Sequence, residues 1–449
     1  MDNSINDFGK GSVRRHILAQ AIPLTIAQLV QILYNITDRV YIGHLPGTSG
    51  LALTGIGLIF PIVTLIAAFT TLFGQGGGSL CSIARGSGDI KRAERIMTTT
   101  FVMLIISGVV LTALCYIFKA PVLYALGASE NTFDYANDYL NIYLIGTLFT
   151  MISLGMNWFI NSMGFAKFGM VTVLFGAAMN IVLDPLFIFV FRMGIKGAAT
   201  ATVISQLVSM LWVIAFLFGK RTILRIRREY LRPDPRTVKT IMALGLAGFI
   251  MNGTNCLVQV VCNVTLSAYG DLYIGIMTVI NSIREIASLP VSGIANASQP
   301  VTGFNYGAGL YGRVRESIKF TLIAGAAVSL VFWVSVMAFP RFFMSLFTSE
   351  PDILDIGQHA MRLYYMAFFT MILQFTGQST FTAIGYAKPA IFFSLLRKAI
   401  LVVPLTILLP HMFGLGAYGV FLAEPISNVI GGTACFVTML RLVWRRLPQ

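Results

Sequence analysis

About twelve apolar stretches, each at least as long as the ~20 residues that a helix needs to cross a bilayer, follow one another along the chain with short polar breaks between them. They fall at 16–43, 51–80, 96–118, 138–161, 168–191, 197–219, 240–268, 273–303, 318–340, 361–384, 390–412 and 417–440. A segment in hydrocarbon must satisfy its own backbone hydrogen bonds, so these stretches are expected to be helices. Composition agrees: 56% of the 449 residues are hydrophobic and 11% charged, against about 25% charged in a soluble domain. No break is long enough for a separate soluble domain. The sequence predicts an all-α polytopic membrane protein with twelve transmembrane helices.

The net charge of +14 would raise the question of nucleic acid in a soluble protein. Here the bases lie in alternate loops. One side collects Lys10, Arg14 and Arg15, then Arg85, Lys91, Arg92 and Arg95, then Lys167, the 220–239 connection, Arg313, Arg315, Lys319, Lys388, Arg441, Arg445 and Arg446. The other side has Lys119, Arg192, Lys196 and Arg341. By the positive-inside rule both termini are cytoplasmic, in a multi-pass protein of the inner (plasma) membrane, and the basic rim faces anionic lipid rather than nucleic acid. A monomer is expected. The five cysteines lie in apolar stretches without metal-ligand spacing, so they read as buried thiols.

The chain repeats itself. Gly164-Phe165-Ala166-Lys167 returns as Gly385-Tyr386-Ala387-Lys388 (385 − 164 = 221), and Gly197-Ala198-Ala199-Thr200-Ala201 falls on Gly419-Val420-Phe421-Leu422-Ala423 with one residue inserted. Two pseudo-symmetric six-helix lobes are expected, 1–219 and 240–449, joined by a basic cytoplasmic linker at 220–239. Six helices per half is an even number, so both halves enter from the same face, an arrangement suited to alternating access.

Enzyme signatures are absent. Gly74-Gln75-Gly76-Gly77-Gly78 lacks the Lys-Ser/Thr of a phosphate loop and reads as a helix-end flexure. There is no zinc helix and no nucleophile elbow, so no cofactor is expected and any pumping draws on an ion gradient. The chemistry then rests on ionisable residues inside the spans, each of which costs at least ~2.5–3.5 kcal/mol at mid-depth. Four acids qualify: Asp38, Asp184, Glu285 and Glu424.

Asn180 and Asp184 stand four apart on one helical face, and Pro185 removes the amide that would bond the carbonyl of Ile181. Such a cluster can take a proton, which relieves the buried charge, or a sodium ion, since its ligands are all oxygens. A polar network that merely fills a kink is the alternative. Asp38 shares its face with Tyr34 and Asn35, and either faces a cavity or pairs with Arg39 at the rim. Thr202 and Gln206, another i, i+4 pair, are candidate polar contacts. In the second half Arg284 and Glu285 point about 100° apart, and Arg397 or Lys398 is a candidate partner of Glu285, in either a buried structural ion pair or a transport site. Glu424 takes the place of Thr202 in the repeat (424 − 202 = 222), so the acids break the symmetry of the halves. Pro23 and Pro185 are candidate hinges.

Taken in order, these motifs resemble the multidrug and toxic compound extrusion (MATE) family of the multidrug/oligosaccharidyl-lipid/polysaccharide exporter superfamily. The resemblance rests on Pro23, Asn35-x-x-Asp38-Arg39-x-x-x-Gly43, Gln75-Gly76 before Arg85-Gly86, Asn180-x-x-x-Asp184-Pro185, Gln299-Pro300-x-x-Gly303-x-Asn305-x-Gly307-Ala308 and the paired Gly-aromatic-Ala-Lys loops. It implies a secondary antiporter that exports bulky, often cationic, organic compounds and drugs in exchange for protons or sodium. Ion coupling would fall on Asp38, Asn180, Asp184 and Thr202, with sodium, if used, at Asp38, Asn180 and Asp184. Substrate contacts would include Tyr34, Asn35, Gln206 and Glu285, and Pro23 would bend the first helix. The acids that one branch of the family carries in its seventh and tenth helices are missing from 240–268 and 361–384, apart from the loop-side start of each segment, which favours an ion site in the first half. Flipping of a lipid-linked saccharide precursor is the second reading, and it would favour a cavity rich in Arg and Lys.

Overall fold

A computed structural model describes residues 7–43, 49–219, 222–348, 350–412 and 414–448. Lys220 and Arg221, at the start of the expected linker, lie outside the described residues. Eleven of the twelve expected spans are long helices: α1 Val13–Gly43, α2 Thr54–Gly86, α3 Ile90–Ala125, α4 Glu130–Ser162, α5 Ala166–Val190, α6 Ile195–Leu217, α7 Pro235–Ser267, α8 Asp271–Gly307, α9 Tyr311–Ala338, α11 Ala387–His411 and α12 Ala417–Trp444. The remaining span, α10, comprises Pro351–Tyr365 and Met371–Ala383, with a 3-10 turn at Phe368–Thr370 between them, so the single helix expected at 361–384 is corrected to a broken one. There is no β-strand among the described residues. The chain is thus all-α, with twelve membrane segments.

The helices outrun the apolar stretches because polar caps extend them. Asp89 accepts the amide of Arg92 at 2.9 Å and starts α3 six residues before its apolar stretch. Ser129 and Thr132 form a reciprocal capping box ahead of α4.

Two compact units divide the chain. One holds Ile26–Gly245, the other Phe8–Thr25 together with Leu246–Gln449. Helix α1 therefore changes unit just after Pro23, and α7 changes unit after Gly245.

In the first unit, backbones pack at glycine, as expected where no hydrophobic driving force acts between helices in lipid. A Cβ on Gly76 of α2 would lie 2.2 Å from the carbonyl oxygen of Ile241, and one on Gly245 of α7 would lie 1.7 Å from that of Leu72. Gly74 and Gly78 face Trp158 of α4 in the same way. The glycine run is corrected accordingly: it sits inside a continuous helix that runs on to Gly86, and it is a contact surface rather than a flexure.

Past α6, the connection is laid against α3. Glu94, which is buried, accepts the backbone amide of Arg225 at 3.1 Å and Nε of Arg227 at 2.8 Å, and Thr98 Oγ1 accepts the amide of Arg227. Glu94 in turn raises the pKa of the Arg227 guanidinium.

The second unit is centred on apolar side chains of α8, α10 and α12, among them Ile276, Ile280, Met361, Tyr365 and Phe421. The repeat is visible in the packing. A Cβ on Gly197, at the start of α6, would meet the backbone of Phe187 at 2.7 Å, and one on Gly419, at the start of α12, would meet the backbone of Leu409 and Pro410 at 2.6 and 2.5 Å. Gly194 and Gly416, which precede these helices, both have positive φ, at 57° and 54°.

Candidate functional site

Four helices of the first unit bring polar groups to one buried place. Helix α5 carries Asn180 and Asp184 one turn apart, and immediately after Pro185 it widens into a π turn over Leu186–Val190, closed by the amide of Phe191 on the carbonyl of Leu186 at 2.9 Å. Helix α6 supplies Thr202 and Gln206, α1 supplies Tyr34 and Asp38, and α4 supplies Tyr139 and Tyr143.

Asn180 links them. Its Nδ2 donates to Asp184 Oδ1 at 3.2 Å and to Thr202 Oγ1 at 3.3 Å. Asp184, Asn180 and Thr202 are 0%, 1% and 1% exposed, and Asp38 is 8% exposed. Tyr34 and Tyr139 interact with Thr202 through their side chains, Tyr143 interacts with Gln206, and the carboxylates of Asp38 and Asp184 are near enough to act on each other. Arg39 turns its guanidinium to the Phe60 ring, 6.0 Å from the centroid.

Three buried acceptors in this cluster, Asp38 Oδ1, Asn180 Oδ1 and Asp184 Oδ2, have no hydrogen-bond donor among the described residues. Gln206 Oε1 is a fourth, pressed against the place where a side chain on Gly146 would stand. A buried acceptor without a donor costs ~1–3 kcal/mol, more when charged. An arrangement with several of them, all oxygens, is matched to a cation or to protons.

Most of the expected ion-coupling residues thus meet: Asn180, Asp184 and Thr202 in one hydrogen-bonded group, with Asp38 and Tyr34 beside it. Asn35, by contrast, is exposed on α1 and outside the cluster. Tyr139 and Tyr143 were not among the expected residues. Their spacing of four within one span is the signal that would have found them, and their rings stack at 5.8 Å with 21° between planes.

The second unit holds a different cluster. Glu424 of α12 accepts Lys398 Nζ at 2.9 and 3.1 Å, and Arg397 Nη1 bonds Asn428 Oδ1 at 2.7 Å while lying 3.5 Å from Glu424. Glu285 is exposed and takes no part in these bonds. The expected pairing of Glu285 with Arg397 or Lys398 is therefore corrected: Glu424 is their carboxylate. A π turn at Leu396–Val402 turns both neighbouring bases toward it.

The chain that carries this buried acid group matches the MatE family over residues 23–186 and 247–408. The chain belongs to the MatE family. Among similar curated proteins is a multidrug export protein, MepA, of Staphylococcus haemolyticus (strain JCSC1435), 23% identical over 92% of this chain and 91% of its own. Solved structures with the same fold include a MATE crystal structure in the bent conformation, at a TM-score of 0.93 and 23% identity over 98% of both chains. Another is a multidrug resistance MATE transporter of the MOP superfamily in an outward-facing conformation, at a TM-score of 0.91 and 24% identity over 99% of this chain and 98% of that one. As a MatE protein the chain is a multi-pass membrane efflux transporter and not an enzyme.

Proposed function

We propose that this MatE protein is a secondary multidrug antiporter that exports organic, often cationic, compounds in exchange for protons or sodium ions. The observation that carries the reading is the pair of buried carboxylates, Asp38 and Asp184, with Asn180 and Thr202 between helices and with acceptor oxygens lacking donors. A site of this kind is unsatisfied when empty and is stabilised by whichever cation enters, which is the differential binding that exchange requires. Protons or sodium arriving from outside would compete with a cationic compound for the same negative charge. Pro185 and its π turn lie next to Asp184, so filling the site is coupled to the shape of α5. The multidrug export function of the MepA relative supports the substrate class.

The basic loops, both termini among them, would lie on the cytoplasmic side of the plasma membrane against anionic lipid, and the transporter would act as a monomer. Export of a lipid-linked saccharide is the second reading. The bases that could hold its pyrophosphate are few, and two of them already share Glu424.

The test is transport by the purified chain in sealed vesicles, with a fluorescent organic cation as cargo and a proton gradient or a sodium gradient imposed separately. Counterflow of the dye under one of them names the ion. No flux under either, from folded protein, would overturn the antiport reading.

A further inference from the structure

The repeat lays part of the second-unit cluster on neutral polar residues of the first-unit site, and where that site holds buried carboxylates this cluster holds mainly bases. Glu424 and Asn428 of α12 correspond to Thr202 and Gln206 of α6 (424 − 202 = 428 − 206 = 222), and Tyr364 corresponds to Tyr143 (364 − 143 = 221). Arg397 corresponds to Gly176 (397 − 176 = 221), and Gly431 to Ser209 (431 − 209 = 222). The small and large members have changed places. In the first unit Gly176 makes room for Ser209, whose hydroxyl would be 2.4 Å from an added Cβ. In the second, Gly431 makes room for Arg397, whose Cβ and Cγ would be 3.2 Å from one. Gly431 thus leaves room for the stem of Arg397.

Three bases meet there. Arg397 and Lys398 are 7% and 2% exposed, Glu424 is 5% exposed, and Arg284 of α8 is near enough to act electrostatically on all three. Only one buried carboxylate answers them, with Glu285 exposed at the edge beside Arg284. Arg397 and Lys398 are held by Glu424 and Asn428. Arg284 is not: its Nε is buried and has no acceptor among the described residues. A guanidinium whose buried Nε has no acceptor, beside two more cations, is costly in an apolar interior. Tyr364 and Tyr365, which also face Arg284, are hydroxyls and cannot supply a full charge.

We propose that the Arg284–Arg397–Lys398–Glu424 cluster of the second unit is a binding site for the carboxylate of organic anions and zwitterions, with Arg284 as its free clamp. With Glu285 counted at the edge, three bases face two carboxylates, and the positive charge left over is matched by that of one monoanion. Its two oxygens suit the planar fork of a guanidinium, whereas a pyrophosphate would need the bases that Glu424 already occupies. Arg284, half-buried and next to exposed Glu285, is the member through which a ligand would enter. This inference rests on the export reading above and gives the carboxylate-bearing members of its substrate class a site in the second unit.

The experiment uses a matched pair of probes, a rhodamine with a free carboxylate and the ethyl ester of the same dye, binding to the purified full chain in lipid nanodiscs by fluorescence polarisation. The free acid is expected to bind at least about tenfold tighter than the ester, roughly the worth of one charge-assisted hydrogen bond. Arg284→Gln should remove that preference, with unchanged size-exclusion behaviour and thermal unfolding showing that the variant is folded. Arg284→Lys should restore part of it. Equal affinity of the two dyes for the unaltered chain, a parallel loss of both in Arg284→Gln, or no binding of the free acid would overturn the proposal. Gradient-driven export of the ester alongside any of these leaves the antiport reading standing, so the two failures are distinguishable.

Discussion

Asp184→Asn separates coupling from folding most cleanly. The side chain is fully buried, and its Oδ1 accepts one bond, from Asn180 Nδ2 at 3.2 Å. An asparagine of the same shape keeps that acceptor, so the helix contacts survive and the folding cost stays near one hydrogen bond, ~1 kcal/mol. The negative charge is lost. At ~4 Å and an effective dielectric constant of about 20, a unit charge is worth about 4 kcal/mol to a bound monovalent cation. That corresponds to roughly a thousandfold in occupancy. Gradient-driven dye efflux in vesicles should therefore fall to background, while size-exclusion behaviour and incorporation stay unchanged. Asp38→Asn should do the same, and the double variant should be no worse than either single one, because the two carboxylates act on one ion. A variant at position 184 that keeps more than half of the wild-type rate at equal incorporation would refute the reasoning.

Glu424→Gln should destabilise the second unit by ~3–5 kcal/mol, since it strands Lys398 and Arg397, whereas Glu424→Gln with Lys398→Met should recover most of that loss; thermal unfolding in detergent reads both. Gly245→Ala puts a methyl 1.7 Å from the Leu72 carbonyl oxygen and should abolish folded protein on size exclusion, while Gly253→Ala, with nothing within 4 Å, should be neutral. Glu94→Ala releases two donors of the 222–234 connection, at ~1–3 kcal/mol, and should speed trypsin cleavage at Arg225 and Arg227 several-fold. The Asp234 carboxyl, held below the usual carboxylate range by the hydroxyl and amide of Thr237, caps α7. A lowered pKa places this contribution above the ordinary carboxylate range and loses it only as pH falls through the lowered value. Asp234→Ala should accordingly speed cleavage at Arg236 by a factor that is constant between pH 7 and 8.5; a ratio that changes over that window would contradict the assignment.

The i, i+4 spacing of Asn180 and Asp184 and the proline after them were enough to locate half of the first-unit site, because helical periodicity alone puts such residues on one face. The tyrosines of α4 were hidden by the same logic: an aromatic in a span reads first as packing. Arg397 and Lys398 were harder. As neighbours on an α-helix they would diverge by about 100°, so a shared partner was not to be expected, and only the wider π turn at Leu396–Val402 brings both to Glu424. The run at Gly74–Gly78 misled in another way. In water glycine loosens a helix, but between helices in lipid its missing side chain is what lets Gly76 meet the backbone of Ile241 and Gly245. Helix ends were misjudged wherever a cap such as Asp89 carried the helix past the apolar stretch.

The glycines at the starts of α6 and α12 carry a consequence for how this sequence can drift. Gly197 and Gly419 face the same backbone obstacle in each half, so a saturation-mutagenesis map folded on itself at 222 residues should show matching intolerance there. At Gly176 and Arg397, which align at a shift of 221, the folded map should disagree, because a duplicated scaffold keeps its steric rules in both copies while leaving the charge of each pocket free to diverge.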